Sequence, residues 1–299
     1  MKVLIIGAGG QLGTALCGAF GDTDLVRADL HDGDVLLDVT DGSRVRDVIL
    51  HDLKPNVVIN TAAAHDVPRC EEDPEWAFAV NAIGARSLAL ASQSCGARLV
   101  HISTDYVFGD SPLSRPLVES DPPAPLNVYG ASKLAGEHLI AAYSENYCIV
   151  RTAALYGLAP CRGKPGDNFV RSMLRRARAG AELRVVDDEF TTPTYTEPLA
   201  RQIRLIAEKC DPGIYHATCQ GSCSWHEFAA AILEEAGLAA KLTPVARDSL
   251  SSPVKRPRYS VLDNVHLKDQ GLDIMPPWRE ALREYLTASP YLPTTLPLC

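Results

Sequence analysis

The chain has 299 residues, a length that suits one large α/β domain together with a smaller second domain. Hydrophobic residues make up 46% of the sequence and charged residues 22%, which excludes a mainly disordered or fibrous protein. The formal net charge of −8 argues against nucleic acid as a partner, and no apolar run is long enough to span a membrane.

Short apolar runs alternate with helical patterns through the first half of the chain. The predicted strands cover residues 2–6, 25–28, 57–59, 98–102 and 148–150, and the predicted helices cover residues 14–20, 44–50, 74–94 and 127–144. An uninterrupted apolar run is typical of a strand that is buried on both faces of a parallel sheet. The alternation therefore predicts an α/β fold with a doubly wound parallel sheet of the Rossmann type.

The regular alternation ends near residue 157. Beyond it glycine and proline are frequent, and the predicted helices and strands are short and isolated. We therefore expect a larger sheet domain over residues 1–156 and a smaller α/β domain over residues 157–299. A segment near residues 185–209 is expected to return to the larger domain, with a cleft between the two domains.

A glycine-rich turn connects the first predicted strand to the first predicted helix. Gly7, Gly10 and Gly13 stand three residues apart, as in turns that bring a pyrophosphate close to the backbone at a helix N-terminus. A turn with a purely structural role is the alternative. Because a buried strand precedes the turn and Asp29 ends the next strand, the pattern predicts that residues 1–156 form a Rossmann dinucleotide-binding domain.

Asp29 bears on the choice between NADH and NADPH. A carboxylate at the end of the second strand accepts hydrogen bonds from the ribose hydroxyls of NADH and repels a 2′-phosphate. Arg27 stands two residues earlier, on the same face of a strand, and would attract that phosphate. The sequence favours NADH without excluding NADPH, and an aspartate that merely faces solvent is the alternative.

Tyr129 and Lys133 are four residues apart in a predicted helix and therefore share one face. A neighbouring ammonium stabilises a phenolate, so we expect Lys133 to lower the pKa of Tyr129 and to make it a general acid–base group. Thr104 follows a predicted strand, at the sheet edge where parallel α/β folds bind ligands, and its hydroxyl could hold the same substrate oxygen. A Tyr-x-x-x-Lys spacing also arises by chance, so the neighbouring residues carry the hypothesis.

Several segments resemble the extended short-chain dehydrogenase/reductase superfamily, and within it the family of dTDP-4-dehydrorhamnose reductases. These segments span nearly the whole chain: 7–13 (GAGGQLG), 60–65 (NTAAAH), 103–108 (STDYVF), 125–137 (PLNVYGASKLAGE), 151–152, 168–169, 193–194, 213–216 (GIYH), 225–226 and 256–257. The resemblance implies NAD(P)H-dependent reduction of a 4-keto-6-deoxy nucleotide sugar, in the biosynthesis of dTDP-rhamnose or another deoxysugar. It also implies that the smaller domain binds this substrate.

The resemblance further implies roles for individual residues. Thr104, Tyr129 and Lys133 match the catalytic residues of the family. The residues that match cofactor-binding positions, besides Asp29, Tyr129 and Lys133, are Gly7, Gly10, Gln11, Leu12, Gly13, Asp38, Val39, Ala62, Ala63 and Ala64. The residues that match substrate-binding positions are Thr104, Asp105, Asn168 and Arg256; for Arg256, which Lys255 and Arg258 flank, an arginine that faces solvent is the alternative. Asn81 matches a helix asparagine that organises the site, with a surface amide as the alternative.

Two positions depart from the family pattern. Family members carry a tryptophan shortly after the Arg151–Thr152 pair, where it packs against the sugar, and this position is Ala154 here. The identity of the sugar therefore stays open. Some members form a dimer around a divalent ion held by glutamates, and one of these glutamate positions is Ala15 here. We expect no metal and no metal-bridged dimer, and the oligomeric state stays open.

Three other functions are compatible with parts of this pattern. A related dehydratase needs an aspartate–glutamate pair after the catalytic threonine, and the pair Asp105–Tyr106 argues against dehydration. A nucleotide-sugar 4-epimerase uses the same three catalytic residues and stays open. A non-catalytic NAD(P)-binding regulatory subunit, similar to the β subunit of methionine adenosyltransferase, also stays open.

The nine cysteines are odd in number and include no Cys-x-x-Cys pair. Cys219 and Cys223 lie closest together, with His216 and His226 nearby, and free thiols in a reducing compartment explain them better than a metal site. The apolar run at the N-terminus is too short for a signal peptide. We therefore expect a cytoplasmic protein.

Overall fold

The computed structural model describes residues 1–110, 115–162, 167–249 and 254–289. Residues 290–299 of the predicted second domain, with the ninth cysteine, lie outside the described residues. The strands are β1 (Lys2–Ile6), β2 (Asp24–Asp29), β3 (Val35–Leu36), β4 (Val57–Asn60), β5 (Arg98–Thr104), β6 (Tyr147–Thr152), β7 (Leu155–Tyr156), β8 (Leu183–Val186), β9 (Phe190–Thr191), β10 (Thr194–Tyr195), β11 (Gly213–His216), β12 (Cys223–Ser224) and β13 (Leu242–Val245).

The helices are α1 (Gln11–Ala19), α2 (Gly42–Arg46), α3 (Val67–Glu72), α4 (Pro74–Phe78), α5 (Ala85–Cys95), α6 (Val128–Tyr143), α7 (Phe169–Arg178), α8 (Thr196–Lys209), α9 (Trp225–Glu235), α10 (Val265–Asp269) and α11 (Trp278–Ala288). A π-helical segment, Asp47–Leu53, extends α2. A second π-helical segment, Ala79–Gly84, joins α4 to α5, so the predicted helix over 74–94 is one continuous helical stretch.

Seven strands form one parallel sheet in the order β3-β2-β1-β4-β5-β6-β11. The predicted doubly wound parallel sheet of the Rossmann type is confirmed. Two of its strands were not predicted, β3 because it has two residues and β11 because it follows the point where the alternation ends. The order places the carboxyl ends of β1, β4, β5 and β6 along one edge of the sheet, where such folds bind ligands.

The side chains of each central strand alternate between two cores, one on each face of the sheet. Val3 and Ile5 of β1 pack in the core that also contains residues of α1 and α8. Leu4 and Ile6 pack in the opposite core, with residues of α2, α5 and α6. Because both faces are covered, the apolar runs in the sequence are continuous rather than alternating, as the prediction assumed.

Among the described residues from β7 onward, three short strand pairs lie outside the main sheet: β7 with β10, β8 with β13 and β9 with β12. Two elements of this part lie against the main sheet: β11 pairs with β6, and α8 packs on α1. Arg204 of α8 donates to the Ala19 carbonyl at 2.6 Å and pairs with Asp22 at 2.7 Å. The domain boundary at residue 156 stays a prediction.

In the part of the chain that the structure describes, no helix combines the length and the apolar character that crossing a membrane requires. The eight cysteines within that part are all free thiols. The described residues also contain no group of three or more histidine, cysteine or acidic side chains placed to hold a metal ion.

Candidate active site

The glycine turn lies between the end of β1 and the start of α1. Gly7 has φ +79°, a backbone conformation that favours glycine, and a Cβ there would lie 2.6 Å from Thr61 Oγ1. A Cβ on Gly13 would lie 2.1 Å from the Gly7 carbonyl oxygen, so glycine alone lets α1 approach the turn this closely. Gly10 caps α1 without a side-chain hydrogen bond, which suits a helix N-terminus whose N–H groups bind phosphate.

Gln11 provides a test of whether this turn fits a dinucleotide. Its Nε2 atom is buried and has no hydrogen-bond partner among the residues that the structure describes. A buried amide donor requires an acceptor, and Gln11 lines the cavity beside the helix N-terminus. The unpaired donor, at a helix N-terminus that no side chain caps, fits the pyrophosphate of a dinucleotide.

Asp29 lies beside the turn, as expected from its place at the end of β2. Its Oδ2 accepts a hydrogen bond from the Gly9 N–H at 2.9 Å. Arg27 is exposed and its guanidinium is paired with Asp34, with Nη2 2.7 Å from Oδ1. Sequence reasoning missed Arg162, whose Nη1 would lie 2.6 Å from a Cβ on Gly9. Arg162 therefore places a positive charge over the turn, where it also pairs with Asp32 at 3.6 Å.

Tyr129, Thr104 and Asp105 form one hydrogen-bonded group. Thr104 Oγ1 donates to Asp105 Oδ1 at 2.9 Å, and the hydroxyls of Thr104 and Tyr129 share a hydrogen bond. The Asp105 carboxyl also bonds to Ser260, and its burial raises its pKa to about 6. Burial raises the pKa of Tyr129 well above its usual range, and the bond with Thr104 lowers it by less. This group joins a proton donor to a buried acid at the end of β5.

Lys133 is buried and its amine is directed toward β5. Nζ donates to the Ile102 carbonyl at 2.6 Å and lies 2.9 Å from His101 Nε2. Burial lowers the pKa of Lys133 to about 8. The expectation that Lys133 lowers the pKa of Tyr129 is wrong for this structure, because burial dominates at Tyr129 and its pKa is raised.

Asn81 and the alanines after β4 form a support behind the site. Asn81 Oδ1 accepts from the Ala64 N–H at 2.9 Å, and Nδ2 donates to the Ala64 carbonyl and to Ser132 Oγ. Ser132 precedes Lys133 on α6, so Asn81 ties the end of β4 to the helix that carries Tyr129 and Lys133. Asn81 is buried, which argues against the surface-amide alternative.

These groups border one cavity of about 590 Å³. The predicted site residues that line it are Gly10, Gln11, Leu12, Gly13, Ala63, Thr104, Asp105, Tyr129, Lys133, Asn168 and Arg256. The predicted residues that do not line it are Gly7, Asp29, Asp38, Val39, Ala62 and Ala64. Gly7 and Asp29 nevertheless shape the turn that does, whereas Asp38 is exposed and accepts hydrogen bonds from Thr40.

The predicted substrate-binding residues differ in what their side chains contact. Asn168 caps α7: its Oδ1 accepts from the Arg171 N–H at 3.0 Å and its Nδ2 donates to the Gly157 carbonyl at 3.0 Å. Its amide is therefore engaged by the backbone. Arg256 shares a hydrogen bond with the Tyr106 hydroxyl inside the cavity. Arg256 is thus better placed than Asn168 to meet a charged substrate group.

Aromatic side chains that the sequence did not single out form the opposite wall of the cavity. The rings of Phe169 and Trp225 lie 4.8 Å apart, and Phe169 stacks on Phe228 at 5.6 Å. Phe190 also lines the cavity. Ala154 lines the cavity as well and has φ +45°, a strained conformation for a residue with a side chain. The sequence showed Trp225 within a family segment but gave it no role.

A parallel sheet with a glycine turn after β1, and a Thr–Tyr–Lys group at the carboxyl end of β5, define a nicotinamide-dependent oxidoreductase of the extended short-chain dehydrogenase/reductase type. The model of the family described as RmlD substrate binding domain matches residues 1–290 of the chain. The chain belongs to this family.

Relatives and solved structures agree with this assignment. The spore coat polysaccharide biosynthesis protein SpsK of Bacillus subtilis is 42% identical over 286 residues, which cover 95% of this chain and 96% of SpsK. A crystal structure of a dTDP-4-dehydrorhamnose reductase from Clostridium acetobutylicum is 41% identical, with a TM-score of 0.89 and coverage of 96% and 98% of the two chains. The dTDP-4-dehydrorhamnose reductase of Bacillus anthracis, solved in complex with NADP, is 38% identical, with a TM-score of 0.89 and coverage of 96% and 99%.

Proposed function

We propose that the protein reduces the ketone of a 4-keto-6-deoxy nucleotide sugar to a hydroxyl. The observation that carries this proposal is the meeting of Thr104, Tyr129 and Lys133 at one wall of a cavity whose other end is the glycine turn. The similarity to reductases that act on dTDP-4-dehydrorhamnose supports the substrate class. Deoxysugar biosynthesis is the proposed role.

Tyr129 is the proposed proton donor. The ketone oxygen gains negative charge as it is reduced, and a phenol that still carries its proton can neutralise that charge. Because burial raises the pKa of Tyr129, the phenol keeps its proton at neutral pH, which is the form that a reduction needs. Thr104, bonded to both Tyr129 and Asp105, is proposed to hold the same oxygen.

The glycine turn with Gln11, the alanines after β4 and the Tyr129–Lys133 pair are the proposed cofactor-binding residues. When bound, the nicotinamide supplies the hydride. We propose NADH as the preferred cofactor, since Asp29 presents its carboxylate beside Gly9 and since Asp34 already pairs with Arg27.

The aromatic wall and Arg256 are proposed to bind the nucleotide sugar. The ring of Trp225 offers apolar area to a base or sugar face, and Arg256 offers charge to a diphosphate. We also propose that residues 1–156 act as the cofactor domain and the later residues as the substrate domain. The cavity lies between residues of both parts, which supports this division.

The test follows NADH or NADPH absorbance during incubation with a 4-keto-6-deoxy nucleotide sugar. A reductase consumes one reduced cofactor for each ketone. Conversion of a nucleotide sugar to its 4-epimer without net loss of reduced cofactor would instead identify an epimerase. Absence of both reactions across a panel of nucleotide sugars would contradict the proposal.

Cofactor choice has its own test. Replacement of Asp29 by Ala should narrow the preference for NADH, measured as the ratio of kcat/KM for NADH to that for NADPH. Asp24→Ala, at the opposite end of the same strand, is the matched control and should leave the ratio unchanged. An unchanged ratio in Asp29→Ala would contradict the role given to this carboxylate.

A further inference from the structure

A chain of hydrogen bonds runs from the end of β4 through β5 to the amine of Lys133. The Ala62 N–H donates to Asn60 Oδ1 at 3.1 Å, and Asn60 Nδ2 lies 3.0 Å from His101 Nδ1. His101 Nε2 lies 2.9 Å from Lys133 Nζ. Asn60, His101 and Lys133 are each 1% exposed, so water does not offer these groups alternative partners.

The backbone determines the direction of this chain. An N–H can only donate, so the Asn60 amide must direct its carbonyl oxygen toward the Ala62 N–H. Its NH₂ group then faces His101. His101 Nδ1 must then accept, and a neutral imidazole with an accepting Nδ1 carries its proton on Nε2. Burial lowers the pKa of His101 well below its usual value, so the ring is neutral.

An Nε2–H directed at Lys133 needs a lone pair on the nitrogen that it meets. A neutral amine has one, whereas an ammonium has three N–H donors and none. Protonation of Lys133 would therefore set two donors against each other, unless the imidazole tautomer and the Asn60 amide both reverse. Reversal of the amide would in turn set its NH₂ group against the Ala62 N–H.

We propose that Ala62, Asn60 and His101 form a one-directional hydrogen-bond chain that ends on Lys133 and favours its neutral amine, so that at alkaline pH the enzyme takes up a proton when a nicotinamide cofactor binds. This inference rests on the proposed function, because it assumes that the cofactor binds beside Lys133. His101 is in this sense a positioning residue, which acts through Lys133.

Burial favours the neutral amine of Lys133, whereas the nearby charge of Glu137 favours its ammonium form. In the described part of the chain, Glu137 and His101 are the titratable groups that act on Lys133, and Tyr129 shares its cavity. The carboxylate of Glu137 is already engaged by other partners, because Arg151 Nη2 lies 2.7 Å from its Oε2 and Ser103 donates to its Oε1. A dinucleotide brings negative charge and ribose hydroxyls to the cavity, and both favour the ammonium form.

The experiment measures proton uptake when NADH binds. Titration calorimetry in two buffers with different protonation enthalpies gives the number of protons taken up per site. Since the pKa of Lys133 is about 8 before binding and rises on binding, uptake should be small at pH 7 and approach roughly one proton at pH 9. Binding of NADH at pH 9 without uptake overturns the inference while leaving the proposed reductase function intact.

Two variants test the direction of the chain. In Asn60→Asp, a carboxylate accepts from both the Ala62 N–H and His101, so Nε2 becomes an acceptor and Lys133 stays protonated. In His101→Gln, the amide can turn its oxygen toward Lys133. Proton uptake at pH 9 should fall by more than half in both variants, and uptake like that of the wild type in either folded variant overturns the inference.

Cys161→Ser is the matched control. The Cys161 thiol also lines the cavity, 3.4 Å from His65. Uptake should be unchanged in this variant; loss of uptake here would assign the proton to the thiol and overturn the inference. Failure of NADH to bind at all would contradict the proposed function, which the absorbance assay reports separately.

Discussion

The two walls of the cavity differ in chemistry and in how they are built. The sheet wall consists of the glycine turn, the end of β5 and the first turns of α6, and it carries the polar groups Thr104, Tyr129 and Lys133. The opposite wall belongs to residues after 157 and combines aromatic rings, with Phe169 and Trp225 4.8 Å apart, with polar side chains such as Arg256. We therefore propose that the sheet wall carries proton transfer and that the opposite wall sets the shape of the substrate space.

The walls also differ in how tightly their side chains are held. On the sheet wall, Thr104, Asp105 and Tyr129 hydrogen-bond to one another, and Lys133 is held by His101 and a backbone carbonyl. On the opposite wall, the rings of Phe169, Trp225 and Phe228 contact one another, and such contacts tolerate exchange of similar apolar side chains. We infer that substitutions on the sheet wall act mainly on kcat and those on the ring wall mainly on KM.

The largest expected effect is that of Tyr129→Phe. Removal of the proposed proton donor should lower kcat by about 10²–10⁴-fold, because that is the usual contribution of general acid catalysis. The Kd of NADH should stay close to that of the wild type. Tyr143→Phe, on the exposed end of the same helix, is the control and should behave as wild type. Equal activity in Tyr129→Phe would remove the distinction between the walls.

Gly13→Ala should weaken cofactor binding by more than about 10-fold and lower the melting temperature. Its Cβ would lie 2.1 Å from the Gly7 carbonyl oxygen, so α1 must shift away from the turn. Gly18→Ala on the same helix is the matched control, since a Cβ there has open space. This control should be stabilised by about 0.5–1 kcal/mol. Thermal melts and NADH titrations of both variants provide the comparison.

The sheet wall was largely predictable from the sequence because each of its parts is local. The glycine turn follows an apolar strand directly, and the helical spacing of Tyr129 and Lys133 sets their common face. The place of Thr104 and Asp105 was predictable because they stand just after a predicted strand. The topology of parallel sheets then brings these segments to one edge.

Other parts of the molecule depend on contacts between distant residues. The strand β11 joins the sheet through pairing with β6, about 60 residues earlier, and its four residues show no distinctive periodicity. Nothing in the sequence distinguishes Arg162 from an arginine that only faces solvent. His101 could have been noticed in the sequence as a histidine inside an otherwise apolar strand. A buried imidazole requires hydrogen-bond partners, so such a residue indicates a polar contact in the core.

Asp105→Asn should change how stability depends on pH. The pKa of Asp105 is about 6 in the folded protein and roughly 3.9 in an unfolded chain, so the folded state binds more protons between these values. Stability of the wild type should therefore fall as the pH rises from about 4 to 6, by roughly 2–3 kcal/mol. Asp105→Asn has no carboxyl group that ionises at this position, so at pH 8 it should unfold at a higher temperature than the wild type.

Asp34→Asn is the control for Asp105→Asn, and it should change the stability at pH 8 in the opposite direction. Pairing with Arg27 lowers the pKa of Asp34 to about 2, so this group stabilises the fold above pH ~4 and loses its effect as the pH falls toward 2. Asp34→Asn should therefore lower stability at pH 8. Denaturant titrations at pH 4, 6 and 8 distinguish the two variants, and equal pH dependence in Asp105→Asn and wild type would contradict the assigned pKa.

The smallest expected effect compares two strained residues, Lys54 and Ala154, with φ +48° and +45°. A side chain in this conformation is unfavourable by about 1–2 kcal/mol, and glycine removes the strain while making the unfolded chain more flexible. Lys54→Gly, at an exposed helix end, should therefore gain about 0.5–1 kcal/mol in the free energy of unfolding with unchanged kinetics. Ala154→Gly should gain a similar amount but also alter KM for the nucleotide sugar, since Ala154 lines the cavity. Unchanged KM in Ala154→Gly would show that strain at this position serves the backbone rather than the substrate.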